Sequence, residues 1–273
     1  MTIKLQGTLV LAGVGKMGGA MLEGWLKAGA DPRKIMAVDP HPSDDMRQTL
    51  KSHNIAHNPV LSAIHDAEVV IIAVKPQVLD SVLPELQVLN TSRPLIVSIV
   101  AGKTIATFAQ YFGQDAAIIR AMPNTPAAIG HGITAMVANA SVSKEQVALA
   151  TALFTSSGEV LTVAEEAMID LVTAVSGSGP AYIFYLTECM AAAGVKIGLP
   201  PALAMQLARA TVSGSGELMR QSGIDAATLR QNVTSPNGTT HAALQVLMAE
   251  DGMGPLFEKA IAAAANRAKE LAN

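Results

Sequence analysis

Through residue 163 the chain switches repeatedly between short β-branched or aliphatic runs and stretches of helical spacing, and beyond that point the short runs stop. Such alternation is the pattern of βαβ units around a parallel sheet. Strands are predicted near 8–12, 34–38, 69–74, 95–100, 117–121 and 133–138, with a last one near 159–163. From 164 onward Ala, Leu and Met recur at helical spacing over 165–175, 180–197, 200–221, 239–250 and 255–271, so the second half reads as all helix. The expectation is an α/β domain over 1–163 and an all-α domain over 164–273, joined by a change of pattern rather than a flexible linker.

Several of the late helices are apolar around most of their circumference, as over 202–211 and 261–265. Helices of that kind need burial on more than one side. The C-terminal region is too small to supply it alone, so interleaved helices of two chains, an obligate homodimer, are expected, with a large monomeric bundle as the alternative. The 273 residues are half apolar, enough for two cores. Lys+Arg number 19 against 22 Asp+Glu, and aromatics make up 3%, so a basic surface or a stacking platform for nucleic acid is not expected. Cys189, the one cysteine, lies in an apolar helical stretch and reads as a core residue of a protein from a reducing compartment. Lys4 and the apolar run 9–14 superficially resemble a secretory signal. The run is short, broken by glycine and followed by Lys16, so it reads as a strand entering a loop. No apolar stretch reaches the eighteen or so residues of a membrane span, and a cytoplasmic protein with no membrane partner is expected.

Gly13-Val14-Gly15-Lys16-Met17-Gly18 is G-x-G-x-x-G, directly after the first predicted strand and opening an amphipathic segment over 17–27. In that setting the first glycine permits the turn, the second admits a pyrophosphate and the third allows close helix packing, while the helix N-terminus favours the phosphate charge. The hexapeptide alone would also suit a plain glycine turn; its position makes a Rossmann-type dinucleotide-binding domain the reading. Asp39 ends the second strand, 21 residues beyond Gly18, where a carboxylate would bond the adenosine ribose diol and favour NADH. His41, Ser43 and Arg47 follow and could serve a 2′-phosphate instead, and Asp39-Pro40 is also an ordinary turn opener. Ala73-Val74-Lys75-Pro76 leaves a buried strand at its carboxyl end, where open α/β sheets bind ligands, although a solvated loop lysine would look the same. The run from Arg120 through Met122, Pro123, Asn124 and Thr125 to Pro126 leaves another strand. It suits the nicotinamide end of a cofactor or a purely structural turn.

Two clusters in the helical half are not explained by packing: Ser176-Gly177-Ser178-Gly179-Pro180-Ala181-Tyr182 and Val233-Thr234-Ser235-Pro236-Asn237-Gly238-Thr239-Thr240. The second places hydroxyls and a turn ahead of a helix, so free N–H groups converge on a carboxylate-sized anion site without arginine. An elaborate N-cap would use the same residues.

With these motifs in their order, the sequence closely resembles the pyrroline-5-carboxylate reductases over essentially the whole chain; Asn237 departs from the usual glycine, and Asn tolerates the left-handed backbone. The resemblance implies NADPH- or NADH-dependent reduction of 1-pyrroline-5-carboxylate to L-proline, the last step of proline synthesis, with NADPH generally preferred. It implies dimers through intertwined C-terminal helices, often assembled into decamers, and active sites drawn from both chains of a dimer. The expected cofactor residues are Gly13, Val14, Gly15, Lys16, Met17, Gly18, Asp39, Asn58, Ala73, Val74, Lys75, Pro76, Met122 and Asn124. The expected substrate residues are Ser178, Ser235, Asn237, Gly238, Thr239 and Thr240, with the Thr240 hydroxyl facing the ring nitrogen.

A protonated cyclic imine is already electrophilic, so its reduction needs alignment and a held carboxylate more than a strong acid or base. Neither cluster carries the Asp/Glu–His pair that alcohol oxidation would use. His241, next to the loop, reads as structural or solvated. The six histidines show no ligand spacing, so no metal is expected, and the thirteen methionines read as core filling. A 3-hydroxy acid dehydrogenase of similar layout would carry a lysine soon after the glycine-rich segment, yet none follows before Lys196. A non-catalytic nucleotide-binding regulatory protein would not need the hydroxyl-rich loop.

Overall fold

The computed structural model describes residues 3–272. Eight strands form one sheet in the order β3-β2-β1-β4-β5-β6-β7-β8. They are β1 (Thr8–Ala12), β2 (Ile35–Val38), β3 (Ala56–His57), β4 (Ala67–Ile72), β5 (Leu95–Ser98), β6 (Ile118–Met122), β7 (Gly132–Ala138) and β8 (Gly158–Thr162). All five residues of β1 and all four of β5 are buried, because helices cover both faces of such a sheet, and this is why these strands read as continuous apolar runs. The early run after Lys4 is thus an interior strand of the sheet, flanked by β2 and β4. Register between β1 and β4 pairs Leu9 with Val69 and Ala12 with Ile72, so the two strands end level.

β6 and β7 pair antiparallel, Arg120 opposite Val137, while β7 and β8 pair parallel. An all-parallel sheet is therefore corrected at this one edge. The connection over 123–131 is shorter than the dozen or so residues a parallel crossover requires. It is filled by a 3-10 turn, Thr125–Ile129, closed by Gly130 at φ +75°.

Five helices serve the sheet: α1 (Lys16–Lys27), α2 (Asp44–Ser52), α3 (Leu79–Leu86), α4 (Ile105–Phe112) and α5 (Lys144–Thr155). Trp25 of α1 is fully buried, and its indole N–H donates to the Leu153 carbonyl of α5 at 2.9 Å. The start of α5 is fixed by a capping box, in which Ser143 Oγ accepts from Gln146 N and Gln146 Oε1 accepts from Ser143 N. Ser143→Ala should therefore destabilise the protein by about 1 kcal/mol, lowering Tm by roughly 2–4 °C; an unchanged thermal melt would remove the cap from the stability account.

The helical part comprises α6 (Ala167–Val172), a π turn over Thr173–Gly177, α7 (Gly179–Lys196), α8 (Pro201–Ser222), α9 (Ala226–Asn232), α10 (Thr239–Leu247) and α11 (Met253–Ala272). By contacts the chain divides into two units. One holds everything up to Gly177 together with the stretch from Ala265 on, and the other spans Ser178–Ala264. The contact boundary thus falls one short helix beyond the change of pattern at 163/164. In the second unit Ala191, Ala204 and Ala208 are buried, whereas Phe184, Tyr185, Ile197, Val246 and Leu256 are exposed. Cys189, expected in the core, is exposed as well; its helix is apolar on faces that the single chain leaves uncovered.

One sequence expectation needs correcting on length. α6, the π turn and α7 run on as a single helical stretch, Ala167–Lys196, that is long and apolar enough by composition to cross a membrane. The π turn at Thr173–Gly177 joins two segments that the sequence showed as separate, shorter helices.

Candidate active site

Strand order reverses beside β1, whose neighbours are β2 and β4, and crevices at such reversals are where open α/β sheets take ligands. A cleft of about 1050 Å³ opens there. Its walls come from the segments leaving β1 (Val14, Gly15, Lys16, Met17), β2 (Asp39, His41, Pro42, Ser43), β4 (Ala73, Val74, Lys75, Pro76), β5 (Ile99, Val100, Ala101) and β6 (Met122, Pro123). Every one of these segments lies at a carboxyl strand end.

The glycine loop has the local geometry its spacing predicts. Gly13 takes φ +93°, and a Cβ there would stand 2.7 Å from the Ala73 carbonyl oxygen, so β1 and β4 turn away from the sheet in close contact. A Cβ on Gly18 would collide with the Gly13 carbonyl oxygen, which holds the start of α1 against the turn. Gly15 has open space beside it and lines the cleft, as approach of a pyrophosphate requires. Lys16 and Lys75 add cationic side chains to the same walls. Gly13 and Gly18 shape the loop from behind and are not themselves among the lining residues.

Asp39 is tied at four points. Its Oδ2 accepts from Val14 N at 2.9 Å and its Oδ1 from His41 N at 2.8 Å. Asn58 Oδ1 accepts from Asp39 N at 2.8 Å, and Asn58 Nδ2 donates to the Asp39 carbonyl at 3.0 Å. His57 Nε2 lies 2.8 Å from that same carbonyl. Asn58, at φ +50°, therefore spends its amide on the backbone of Asp39 and does not line the cleft. Asn124 is 8% exposed and is likewise absent from the walls; its Oδ1 accepts from Ile133 N at 3.0 Å and fixes the β6–β7 connection. Glu23, Asp45, Met46, Ile99, Val100, Ala101 and Ala128 line the cleft without having been singled out in the sequence. For 99–101 the signal was present, since they follow a buried strand at its carboxyl end.

Arg120 sits within β6 rather than in the loop after it. Its side chain is 2% exposed and pairs with Asp170 at 2.6 Å and Glu166 at 3.3 Å. Glu166 Oε1 also accepts from Ile105 N at 2.7 Å, joining the N-terminus of α4 to the same network.

In the second unit the 235–240 segment forms a turn in which Gly238 N donates to the Ser235 carbonyl at 3.0 Å. Asn237 takes φ +57°, the left-handed conformation that suits Gly or Asn. Gly238 is the N-cap of α10 and no side chain caps the helix, so the hydroxyls of Ser235, Thr239 and Thr240 are not used as an N-cap. The first amides of α10 have no intrahelical acceptor by the geometry of any helix start. Thr240 is half-buried. Ser178 occupies the N-cap position of α7 and also makes no side-chain cap. Tyr182 of the same cluster packs edge-on against Phe257, ring centroids 6.3 Å apart. His241 lines a separate cavity of about 470 Å³ with Arg230, Thr234 and Gln245.

A sheet that reverses at a glycine loop, with a helical unit carrying an uncapped, hydroxyl-rich helix start, defines a dinucleotide-binding oxidoreductase of Rossmann type. Comparison with known proteins narrows this. Residues 8–102 match the family model described as NADP oxidoreductase coenzyme F420-dependent, and residues 166–271 match pyrroline-5-carboxylate reductase dimerisation. A pyrroline-5-carboxylate reductase of Synechocystis is 43% identical over 88% of this chain and 88% of its own length. The structure of a pyrroline-5-carboxylate reductase from Coxiella burnetii superposes with a TM-score of 0.90 at 33% identity, covering 98% of this chain and all of that one. The Plasmodium falciparum pyrroline carboxylate reductase with NADP bound gives a TM-score of 0.83 at 27% identity, covering 98% and 99%. The chain belongs to the pyrroline-5-carboxylate reductase family.

Proposed function

We propose that this protein reduces 1-pyrroline-5-carboxylate to L-proline with NADPH or NADH, acting on the C=N bond of the ring. The observation that carries the reading is the 235–240 turn, where a left-handed Asn237 precedes a helix start that no side chain caps and that begins with two threonines.

The roles follow from the residue chemistry. The cleft behind Gly15, with Lys16 and Lys75, fits a dinucleotide pyrophosphate. When bound, the coenzyme supplies a hydride to the electrophilic ring carbon. The amides of Gly238, Thr239 and Thr240, with Ser235, hold the substrate carboxylate. The Thr240 hydroxyl bonds the ring nitrogen and fixes the plane of the imine, and Ser178 borders the same substrate. Alignment of this kind accounts for much of the rate of a reaction between two bound partners. Nucleotide binding belongs to 1–163 and substrate binding with dimerisation to 164–273, a division supported by the family model that begins at residue 166. The exposed apolar faces of the second unit, and those of the long stretch Ala167–Lys196 that runs into it, are covered by a second copy of the chain in a cytoplasmic homodimer that assembles further into decamers. Sedimentation velocity that finds only monomer would overturn that assembly.

The assay is oxidation of NADPH or NADH in the presence of 1-pyrroline-5-carboxylate, with proline identified as product; no turnover with either coenzyme rejects the function. A second result concerns the turn. Asn237→Ala forces a residue with an ordinary Cβ into the left-handed region, at a cost of about 1 kcal/mol, so KM for pyrroline-5-carboxylate should rise roughly fivefold. Asn237→Gly should leave it within about twofold. Equal KM values for both variants would detach the turn from substrate binding.

A further inference from the structure

The end of the cleft beyond β2 carries an arrangement that neither the family match nor the glycine loop accounts for. Asp39 lies there with its carboxylate oriented by two backbone amides, Val14 N on Oδ2 and His41 N on Oδ1. Its own backbone is clamped by the Asn58 amide and by His57. A carboxylate oxygen has two acceptor positions, so after these two bonds each oxygen still has one lone pair for a donor in the cleft. Two such positions side by side match the neighbouring hydroxyls of an adenosine ribose. Held from both sides, the carboxylate is preorganised for them and does not need to be ordered on binding.

The surrounding charges agree. Two more carboxylates line the same region, Glu23 on α1 and Asp45 in the first turn of α2. Glu23 stands one turn beyond Gly19, whose position abuts Met46 of α2, so the two helices adjoin and both contribute acids to the cleft lining. Arg47, the arginine that could have received a 2′-phosphate, is directed elsewhere, whereas the cleft-lining Ser43 still has its O–H to donate. Arg47 lies 3.6 Å from Asp44 and lines a different cavity with Gln48, Lys51 and Ser52. Ser43 Oγ accepts from Met46 N as the cap of α2. Asp44 and Asp45 occupy the first turn of α2, where they offset the positive end of the helix dipole. His41 is the one basic side chain of this end of the wall; Lys16 and Lys75 follow β1 and β4, on the pyrophosphate side.

We propose that this enzyme is built for a coenzyme with an unphosphorylated adenosine ribose, NADH over NADPH, and that Asp39 is the residue that sets the choice. The proposal rests on the nucleotide-dependent reading above and contrasts with the NADP-bound relative. A 2′-phosphate carries a charge of about −1.5 to −2 at neutral pH and would meet the Asp39 carboxylate, in a cleft that Glu23 and Asp45 also line and no arginine does.

The test uses the purified full-length enzyme. Isothermal titration with NAD⁺ and NADP⁺ gives the ratio of affinities without any turnover, and steady-state kinetics with pyrroline-5-carboxylate gives the ratio of kcat/KM. Wild type should favour the unphosphorylated form at least tenfold in both. Asp39→Ser should move both ratios at least tenfold toward the phosphorylated form, through KM more than kcat, while Asp39→Glu, which keeps the charge, should not. A wild type that prefers NADP⁺ overturns the proposal even if no variant folds. So does an Asp39→Ser enzyme that loses both coenzymes equally, which would make Asp39 a support of the glycine loop only. Clear titration of NAD⁺ with no reduction of pyrroline-5-carboxylate would reject the substrate reading and leave this one standing.

Discussion

Thr240→Ala should lower kcat by about a hundredfold while the Kd for coenzyme stays within about twofold. The size follows from the loss of a single preorganised hydrogen-bond donor at a reacting group, which commonly costs 10²–10³ in turnover. Thr240 is the second residue of α10, half-buried, on a helix start that has no side-chain cap. Its hydroxyl is therefore not required to hold the helix, and its removal should leave Tm unchanged within about a degree. The coenzyme cleft is lined by residues between Val14 and Ala128, so affinity for the coenzyme gives an internal control. Thr240→Ser retains the hydroxyl and should recover most of the rate. Rapid-quench measurement of the reductive step distinguishes a chemical effect from slow product release. Alanine and wild-type enzymes with the same rate would remove Thr240 from the mechanism.

The parts of this molecule that the sequence made legible share one physical property: burial on both faces. β1, β4 and β5 lie inside the sheet, so each carries an unbroken apolar run (9–12, 69–72 and 95–97), and the glycine loop follows directly from the first of them. Where burial is partial, the signal fades. β3 is two exposed residues, Ala56 and His57, recognisable only through pairing with β2. α9 is short and polar, and its one local mark is the Asp225 carboxylate accepting from Thr228 N. Strand direction was illegible for a different reason. A run such as 133–138 fits a parallel or an antiparallel neighbour equally well, and the short connection over 123–131 decides between them.

The site shows the same limit at the level of side chains. The resemblance placed Asn58 and Asn124 beside the coenzyme, yet both side-chain amides are engaged with backbone, Asn58 with Asp39 and Asn124 with Ile133. Motif position identifies the neighbourhood, and hydrogen-bond geometry determines which residue faces the ligand. Cys189 makes the complementary point. An apolar helix predicts burial for it, but the single chain leaves it exposed, because the partner that the apolar faces require is encoded in the same pattern as an ordinary core.

Arg120→Met should destabilise the protein by about 3–5 kcal/mol, the usual consequence of leaving a buried charge without its partner. Arg120 is 2% exposed, Asp170 12% and Glu166 32%, so it is Asp170 that would be stranded while Glu166 reaches water. The expected fall in Tm is on the order of 10 °C, at roughly 2–4 °C per kcal/mol for a protein of this size. Arg120→Met combined with Asp170→Leu should recover most of that loss, since replacing a whole buried pair by apolar groups is often close to neutral. The pair also has a bearing on the site. Arg120 belongs to β6, which ends at Met122 in the cleft wall, and Asp170 to α6, which leads into the π turn ending at Gly177; a Cβ at Gly177 would lie 3.7 Å from Met122. Anchoring α6 to β6 therefore fixes Met122 from both directions. In the double variant, stability should return while coenzyme Kd remains raised several-fold, because apolar contact restores packing without restoring the 2.6 Å directional bond. If both properties return together, the ion pair contributes to folding alone; if neither single nor double variant shifts the melt, the network has no energetic role.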